Sequence, residues 1–423
     1  DKDAKRYLTF IHVSADEYIY EPSYALNFPA INSWVVIADY NCDGIADLFT
    51  HNRLRGCPKA FKGYYENDVL KFEFDKDEVL YASSSGTPFN LYTVSTHRPL
   101  FKDVNGDGDR DFLSFNVNLN RIYYYENLRV ENNIPCDSIY FDRIDACWGN
   151  VKETGGLSLD LLLNDTCGGK FARLLEPAAN NRHPGGTVFD IYDENKDGVF
   201  DIILGDATYE RINYLKNNGT IEYASIYEQD DSFPSYDQQL SMPIFPAPYV
   251  MDIDKDGDED IVVAPFLAGV VDNYKNVWLY ENNGSDFEPF RKKQEDFLVG
   301  DMIDVGQSSA PTFFDYNNDG LLDLVIGNDG YFEDDGEFFH SLTLFKNTGS
   351  TAAPVFEFVT NNFLNISNLD LQATVPYFAD IDNDGDKDLF LGEDNGKIVF
   401  LKNNNSSFET VSYTHLRAHE TTS

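Results

Sequence analysis

Asp252-Ile253-Asp254-Lys255-Asp256-Gly257-Asp258-Glu259-Asp260 lies between Pro248-Tyr249-Val250-Met251 and Ile261-Val262-Val263-Ala264. Oxygen-bearing side chains stand at positions 1, 3, 5 and 9 of this loop, glycine stands at position 6, and a β-type apolar run follows at once. Five more loops obey the same rule: Asp39-Asn41-Asp43-Gly44-Asp47, Asp103-Asn105-Asp107-Gly108-Asp111, Asp193-Asn195-Asp197-Gly198-Asp201, Asp315-Asn317-Asp319-Gly320-Asp323 and Asp380-Asp382-Asp384-Gly385-Asp388. One copy reads equally well as an acidic turn, because Asp, Asn and Gly dominate turns. Six copies with Asp at 1, 5 and 9 and Gly at 6 point to a metal.

That metal is expected to be Ca²⁺, in up to six sites. A hard cation of this kind takes six to eight oxygens, and glycine allows the sharp bend that turns alternate side chains inward. Position 7 reads Ile45, Asp109, Val199, Asp258, Leu321 and Asp386. Ile, Val and Leu offer no side-chain ligand, so position 7 is expected to contribute its carbonyl. The acid at position 9 would close the cage. The helical calcium loop places its last acid at position 12. Here the last acid is at 9 and runs into a strand, so the loop joins strands rather than helices.

The loops start at 39, 103, 193, 252, 315 and 380, with spacings of 64, 90, 59, 63 and 65 residues. Such a period marks a repeat architecture. A second signal follows each loop: Tyr64-Tyr65-Glu66-Asn67, Tyr124-Tyr125-Glu126-Asn127, Tyr214-Leu215-Lys216-Asn217, Leu279-Tyr280-Glu281-Asn282, Leu344-Phe345-Lys346-Asn347 and Phe400-Leu401-Lys402-Asn403. Each reads as a strand ending in a polar turn. Four strands per unit of this length predict an all-β fold, a β-propeller of four antiparallel strands per blade with the acidic loop between the first and second. The propeller is expected to span 1–411, with an insertion at 131–183 that accounts for the 90-residue spacing. Tyr7-Leu8-Thr9-Phe10-Ile11-His12-Val13 reads as a strand without a loop of its own, available to complete a blade with the C-terminus. Residues 412–423 lack the acidic bias and resemble translated adapter sequence, so they are set apart as a non-native tail. The natural chain is expected to continue differently after Val411.

The stretch 314–327, Phe-Asp-Tyr-Asn-Asn-Asp-Gly-Leu-Leu-Asp-Leu-Val-Ile-Gly, resembles an FG-GAP/VCBS repeat, as found in integrin-α-like propellers and many secreted bacterial proteins. The resemblance extends over roughly 30–411. It implies seven blades, Ca²⁺ held at positions 1, 3, 5, 7 and 9, and a place in a larger extracellular or cell-surface protein. Only six loops are present, so a seventh blade would lack metal.

Composition agrees with a folded acidic protein. The 423 residues carry a formal charge of −40, yet 42% are hydrophobic and 15% aromatic, unlike a disordered acidic chain. Six Ca²⁺ would bring the charge to −28. Such a surface repels nucleic acid. No apolar run is long enough to span a membrane as a helix. The cysteines are Cys42, Cys57, Cys136, Cys147 and Cys167, with no Cys-x-x-Cys pair to suggest zinc. A Cys42–Cys57 bridge and a pair within Cys136, Cys147 and Cys167 are expected, with free buried thiols as the alternative.

These features favour a monomeric binding or adhesion module for a glycan or an extracellular protein. Recognition would sit on 83–98, 228–245, 264–276 and 328–340, with Phe266, Tyr274, Tyr331 and Phe338 as candidate contacts. The alternatives are a secreted polysaccharide lyase or hydrolase and a structural spacer. His12, His51, His97, His183 and His340 carry no catalytic motif, and His97-Arg98 and Arg182-His183 are the best enzymatic candidates. No catalytic residue is assigned.

Overall fold

The computed structural model describes residues 7–415 except 15–16, 32, 83–86, 117, 119, 137, 154–160, 166–186, 208, 243–244, 267–274, 286, 301, 333–337 and 406, and only the backbone of 332 and 411–415. The chain is all-β and forms two compact units, Asp1–Val271 with Lys275–Gly300, and a second that includes Asp301–Ser423.

Among the described residues, the first unit contains, besides two two-stranded hairpins, four sheets built on four consecutive antiparallel strands, in sequence order. Their strands are Val35–Ala38, Asp47–Asn52, Cys57–Glu66 and Val69–Lys76; then Leu100–Lys102, Asp111–Phe115, Ile122–Asn127 and Phe141–Asp145; then Thr187–Tyr192, Asp201–Asp206, Ile212–Asn217 and Ile226–Asp230; then Pro246–Met251, Asp260–Pro265, Trp278–Asn282 and Phe290–Gln294. The second unit contains two: Ala310–Phe314, Asp323–Gly327, Leu342–Asn347 and Phe356–Thr360, followed by Val375–Ala379, Asp388–Gly392, Lys397–Asn403 and Phe408–His415. In each, sequence neighbours pair in order. The second sheet is wider than expected, because Leu80–Ala82 adds in parallel to Phe141–Asp145 and pairs in turn with Pro88–Asn90. Phe141–Asp145, which falls within the expected insertion, is the fourth strand of that sheet.

The second strand of each sheet is the apolar run after the acidic loop. Asp201–Asp206 and Asp323–Gly327 are buried throughout, as strands covered on both faces should be. The fourth strand is wetter, with Phe358 at 62% exposure. The cores lie between successive sheets. Phe49 and Ala60 of the first meet Phe101, Phe112 and Phe141 of the second. Leu113 and Tyr124 meet Phe189 and Ile202, and Ile203 and Tyr214 meet Ile261 and Phe290. In the second unit Phe314 and Leu344 meet Phe378 and Leu389. Among the described residues, these cores join a sheet to the next one within its unit, the nearest-neighbour contact on which repeat stability rests.

Three details differ from the sequence reading. Phe10–Ser14 pairs with Glu17–Tyr20 rather than with the C-terminal strand, and the Tyr18 hydroxyl donates to the Ile253 carbonyl at 2.7 Å. The last strand runs through 412–415, into the stretch set apart as a tail. The disulfide is Cys42–Cys136, not Cys42–Cys57; Cys57 is a free buried thiol. Cys147 is also disulfide-bonded, and Cys167 lies outside the described residues. Among the described residues, no helix is long and apolar enough to cross a membrane.

Candidate metal centres

All six acidic loops connect the first and second strands of a sheet, and position 9 is always the first residue of the second strand. The loop backbone has one conformation in every copy. Position 6 is left-handed at Gly44, Gly108, Gly198, Gly257, Gly320 and Gly385. Position 4 is left-handed as well, at Cys42, Gly106, Lys196, Lys255, Asn318 and Asn383, which the sequence reading did not foresee. A Cβ on Gly44, Gly108, Gly257, Gly320 or Gly385 would meet nothing within 4 Å, so the positive φ and not space requires glycine there.

The side chains wind the loop around itself. The oxygen at position 3 accepts from the position 5 amide, from Asp43 onto Asn41 at 3.0 Å to Asp384 onto Asp382 at 3.3 Å. Position 5 accepts from position 7 in all six, as in Ile45 onto Asp43 at 2.8 Å and Leu321 onto Asp319 at 2.9 Å. Position 1 accepts from the glycine amide in five, including Gly198 onto Asp193 at 2.8 Å and Gly320 onto Asp315 at 2.9 Å. These bonds hold the side-chain oxygens at 1, 3 and 5, from carboxylates and, in four loops, an asparagine amide, without using all their lone pairs.

Position 9 also makes contacts that the spacing did not foresee. Asp47, Asp111, Asp201, Asp260, Asp323 and Asp388 are buried. One oxygen accepts an amide from the third strand: Gly63 at 2.8 Å, Asn127 at 2.9 Å, Asn217 at 2.7 Å, Asn282 at 2.9 Å, Asn347 at 2.8 Å and Asn403 at 2.9 Å. The other accepts the position 2 amide, as from Tyr40, Val104, Ile253, Tyr316 and Ile381. The acid is first a strut between loop and sheet. Burial raises the Asp111 carboxyl to about 7 and that of Asp201 to about 6, and it raises Asp47 and Asp260 as well. A buried carboxylate raised in this way favours either a proton or a cation beside it.

The strand-end asparagines complete the clip. Nδ2 of Asn127, Asn217, Asn282, Asn347 and Asn403 donates to the carbonyl of loop position 8, for example Phe200 at 2.9 Å and Lys387 at 3.1 Å. The first sheet departs from the expected register. Gly63, not Asn67, occupies this place, and its Cβ would lie 2.1 Å from the Ala46 carbonyl. Asn67 sits at the tip of the following hairpin.

The donor set fits a hard cation. Carboxylate oxygens of Asp252, Asp254 and Asp260 come within 4.8 Å of one another, as do those of Asp380, Asp382 and Asp384, and of Asp107, Asp109 and Glu131. Oδ1 of Asp39 is buried with no hydrogen-bond partner. In the sixth loop Lys402 donates to Asp382 and stands 3.8 Å from Asp384, and in the fifth Lys346 stands 3.7 Å from Asp319, so part of the charge there is already met.

Of the enzymatic candidates, His97, Arg98 and His51 have their polar atoms engaged within the packed sheets. His97 is buried and its Nε2 accepts the Thr187 amide at 2.9 Å. Arg98 donates to Asp190 at 3.0 Å and to the Pro248 carbonyl at 2.9 Å, with its guanidinium over the Tyr249 ring. Nδ1 of His51 bonds Thr93. Arg182 and His183 lie outside the described residues. Glu153 and Asp206 form a buried acid pair that shares the Thr187 hydroxyl, at 3.2 and 3.4 Å, and Glu153 borders a cavity of only 10 Å³. Of the candidate contact residues, Phe266 packs on Phe245, Phe338 is 41% exposed beside Tyr331 in a short hairpin, and Tyr274 lies outside the described residues.

A cleft recurs between consecutive loops. In the first unit it measures 330 Å³ and is lined by Asp39, Tyr40, Asp109, Arg110, Asn127 and Phe141, among others. In the second unit it measures 180 Å³ and is lined by Asp315, Tyr316, Asp386, Lys387, Asn403 and Phe408. The two sets correspond position for position: loop positions 1 and 2 of one repeat, then 7 and 8, the strand-end asparagine and a fourth-strand phenylalanine of the next.

No curated protein matches the chain. Among solved structures, an Agrocybe aegerita lectin described as specifically recognising non-reducing terminal N-acetylglucosamine is 13% identical, with 97% of this chain and 90% of that chain covered at a TM-score of 0.32. BBS1N in complex with ARL6DN, soaked with lead, is 11% identical, with 92% and 83% covered at a TM-score of 0.28. Residues 252–326 and 315–391 match the FG-GAP-like repeat, so two copies of that repeat take in the fourth, fifth and sixth acidic loops.

Proposed function

We propose that this protein is a calcium-stabilised extracellular binding module, its sheets arranged as the blades of a seven-bladed propeller, that takes a hydroxyl-rich ligand of the glycan class. The observation that carries this reading is the cleft repeated between successive loops. Each copy offers two carboxylates, the strand-end amide, a cation at loop position 8 (Arg110 or Lys387) and aromatic walls, with Arg129 added in the first and Asn318 in the second. Carboxylates and amides accept and donate to hydroxyls, and aromatic faces pack against sugar C–H surfaces. The FG-GAP-like repeats and the Cys42–Cys136 bridge support an extracellular setting, since disulfides persist in oxidising compartments.

Ca²⁺ would be held by the side chains at positions 1, 3 and 5, the carbonyl at 7 and a remaining lone pair of the acid at 9, and would neutralise carboxylates that otherwise repel. The chain's own contribution is to hold those oxygens in place: the left-handed residues at 4 and 6 and the amide bonds across the loop set the ring before any ion arrives.

A glycan and extracellular-protein array, probed with calcium and with EDTA, tests the reading. Glycan binding that needs calcium and falls about tenfold, roughly 1.4 kcal/mol, in Arg110→Ala or Lys387→Ala is expected. Binding to proteins alone, or glycan binding indifferent to both substitutions, would overturn it.

A further inference from the structure

The cluster of Asp107, Asp109 and Glu131 meets the loop ring only through the side chain of Asp107, at position 5. In the fourth loop the clustered acids are positions 1, 3 and 9, and in the sixth they are 1, 3 and 5. In the second loop they are positions 5 and 7 together with Glu131, which lies beyond the third strand. The ring would use the carbonyl of Asp109, whereas here its side chain takes part.

That side chain is 4% exposed. Its Oδ2 accepts the Val130 amide at 3.1 Å and lies 3.6 Å from Arg129 Nε. Its Oδ1 is buried and has no hydrogen-bond partner. A buried carboxylate oxygen left unpaired carries its full desolvation cost unless something meets it. Arg129 neutralises one of the three carboxylates, which leaves two negative charges, and Glu126 is drawn in as well through Asn105 Nδ2 at 3.0 Å.

The segment carrying Glu131 is fixed in advance. The Asn132 and Asn133 amides donate to the carbonyls of Leu128 and Val130 at 3.2 Å, and that of Ile134 to Arg129 at 2.9 Å. Cys136 is bonded to Cys42 of the first loop. Oxygens on one Ca²⁺, at roughly 2.3–2.6 Å from it, can lie up to about 5 Å apart. One oxygen from each side chain of this cluster lies within 4.8 Å of the others, close enough for a single ion.

We infer that Asp107, Asp109 and Glu131 hold a divalent cation of their own, outside the nine-residue ring, which fastens the 128–134 turn to the second loop. All-oxygen, carboxylate-rich ligation selects Ca²⁺, Mg²⁺ or Mn²⁺ over softer metals. The site shares the Asp107 side chain with the ring and is told apart from it by Glu131, which the ring does not use.

Amide hydrogen exchange on the intact chain, in EDTA and in free Ca²⁺, tests this in the wild type and in Glu131→Gln. The 252–260 loop serves as an internal control in the same sample. At free calcium about ten times the dissociation constant, protection of 128–134 should rise about tenfold in the wild type. It should not respond in Glu131→Gln, while 252–260 responds in both. A calcium response of 128–134 that survives in Glu131→Gln overturns the inference. So does a wild type in which 252–260 responds and 128–134 does not, and this leaves the ring reading standing. Silence of both segments overturns both.

Discussion

Asn217 shows how much one side chain does in each repeat. Its Nδ2 holds the Phe200 carbonyl at 2.9 Å, and its Oδ1 accepts the Gly219 and Ser225 amides at 3.0 and 2.7 Å. Asn217→Ala leaves three backbone groups without partners, and urea unfolding is expected to show a loss of about 2–3 kcal/mol. Glu153 makes a second residue-scale case. Burial, and then the neighbouring Asp206, raise its carboxyl well above the ordinary 4.5. The folded state therefore binds this proton more tightly than the unfolded chain. The resulting stability is fully present below about 4.5 and is lost as pH rises towards the raised folded value. Glu153→Gln keeps an acceptor for Thr187 without the charge. It should be more stable than the wild type at pH 8 and no more stable at pH 4, as read from unfolding midpoints at the two values.

Among elements, the third strand is where the repeats are built most alike. In every one of the six sheets its pairing with the fourth strand slips register at one point, as at Ala60/Phe61, Tyr124/Tyr125 and Leu344/Phe345. Such a bulge increases local twist and re-aims the side chains beyond it. The strand-end asparagine lies just past the slip, beneath its loop. The disulfide adds a tie of another kind. Cys42 is the left-handed position 4 of the first loop, and Cys136 follows the turn that carries Glu131, 94 residues on. Replacing both with serine should cost about 2–4 kcal/mol, as is usual for a bridge closing a long loop. The variant's thermal melt against the oxidised wild type measures this. An unchanged midpoint would mean that packing alone holds the two segments.

On the scale of the whole chain, the proposed calcium sites, set against a formal charge of −40, predict that stability depends on calcium. A ligand that binds only the folded state stabilises it by mass action at every site. EDTA should lower the melting temperature by on the order of 10 °C at low ionic strength. Restoring calcium should reverse this, and salt should blunt it by screening. Because repeats of this kind are stabilised largely by local and nearest-neighbour contacts, Asp256→Ala should loosen the fourth sheet in hydrogen exchange and leave the sixth unchanged. A uniform loss of protection would instead show the chain to unfold as one block.

The sequence by itself determined the all-β class, the six repeats, the place of every acidic loop between first and second strands, and glycine at position 6. All of these depend on local spacing, on backbone conformation or on an apolar run of strand length. Tertiary structure alone decided that the acid at position 9 serves first as a strut. It also decided that Gly63 stands where Asn67 was expected, and that Cys42 bonds Cys136. These depend on which strand lies beside the loop, which sheet lies beside that strand, and how far a chain direction has turned before a cysteine arrives. Spacing along the chain does not encode distances across it, so Glu131 gave no sign in the sequence that its carboxylate would come within 4.8 Å of those of Asp107 and Asp109.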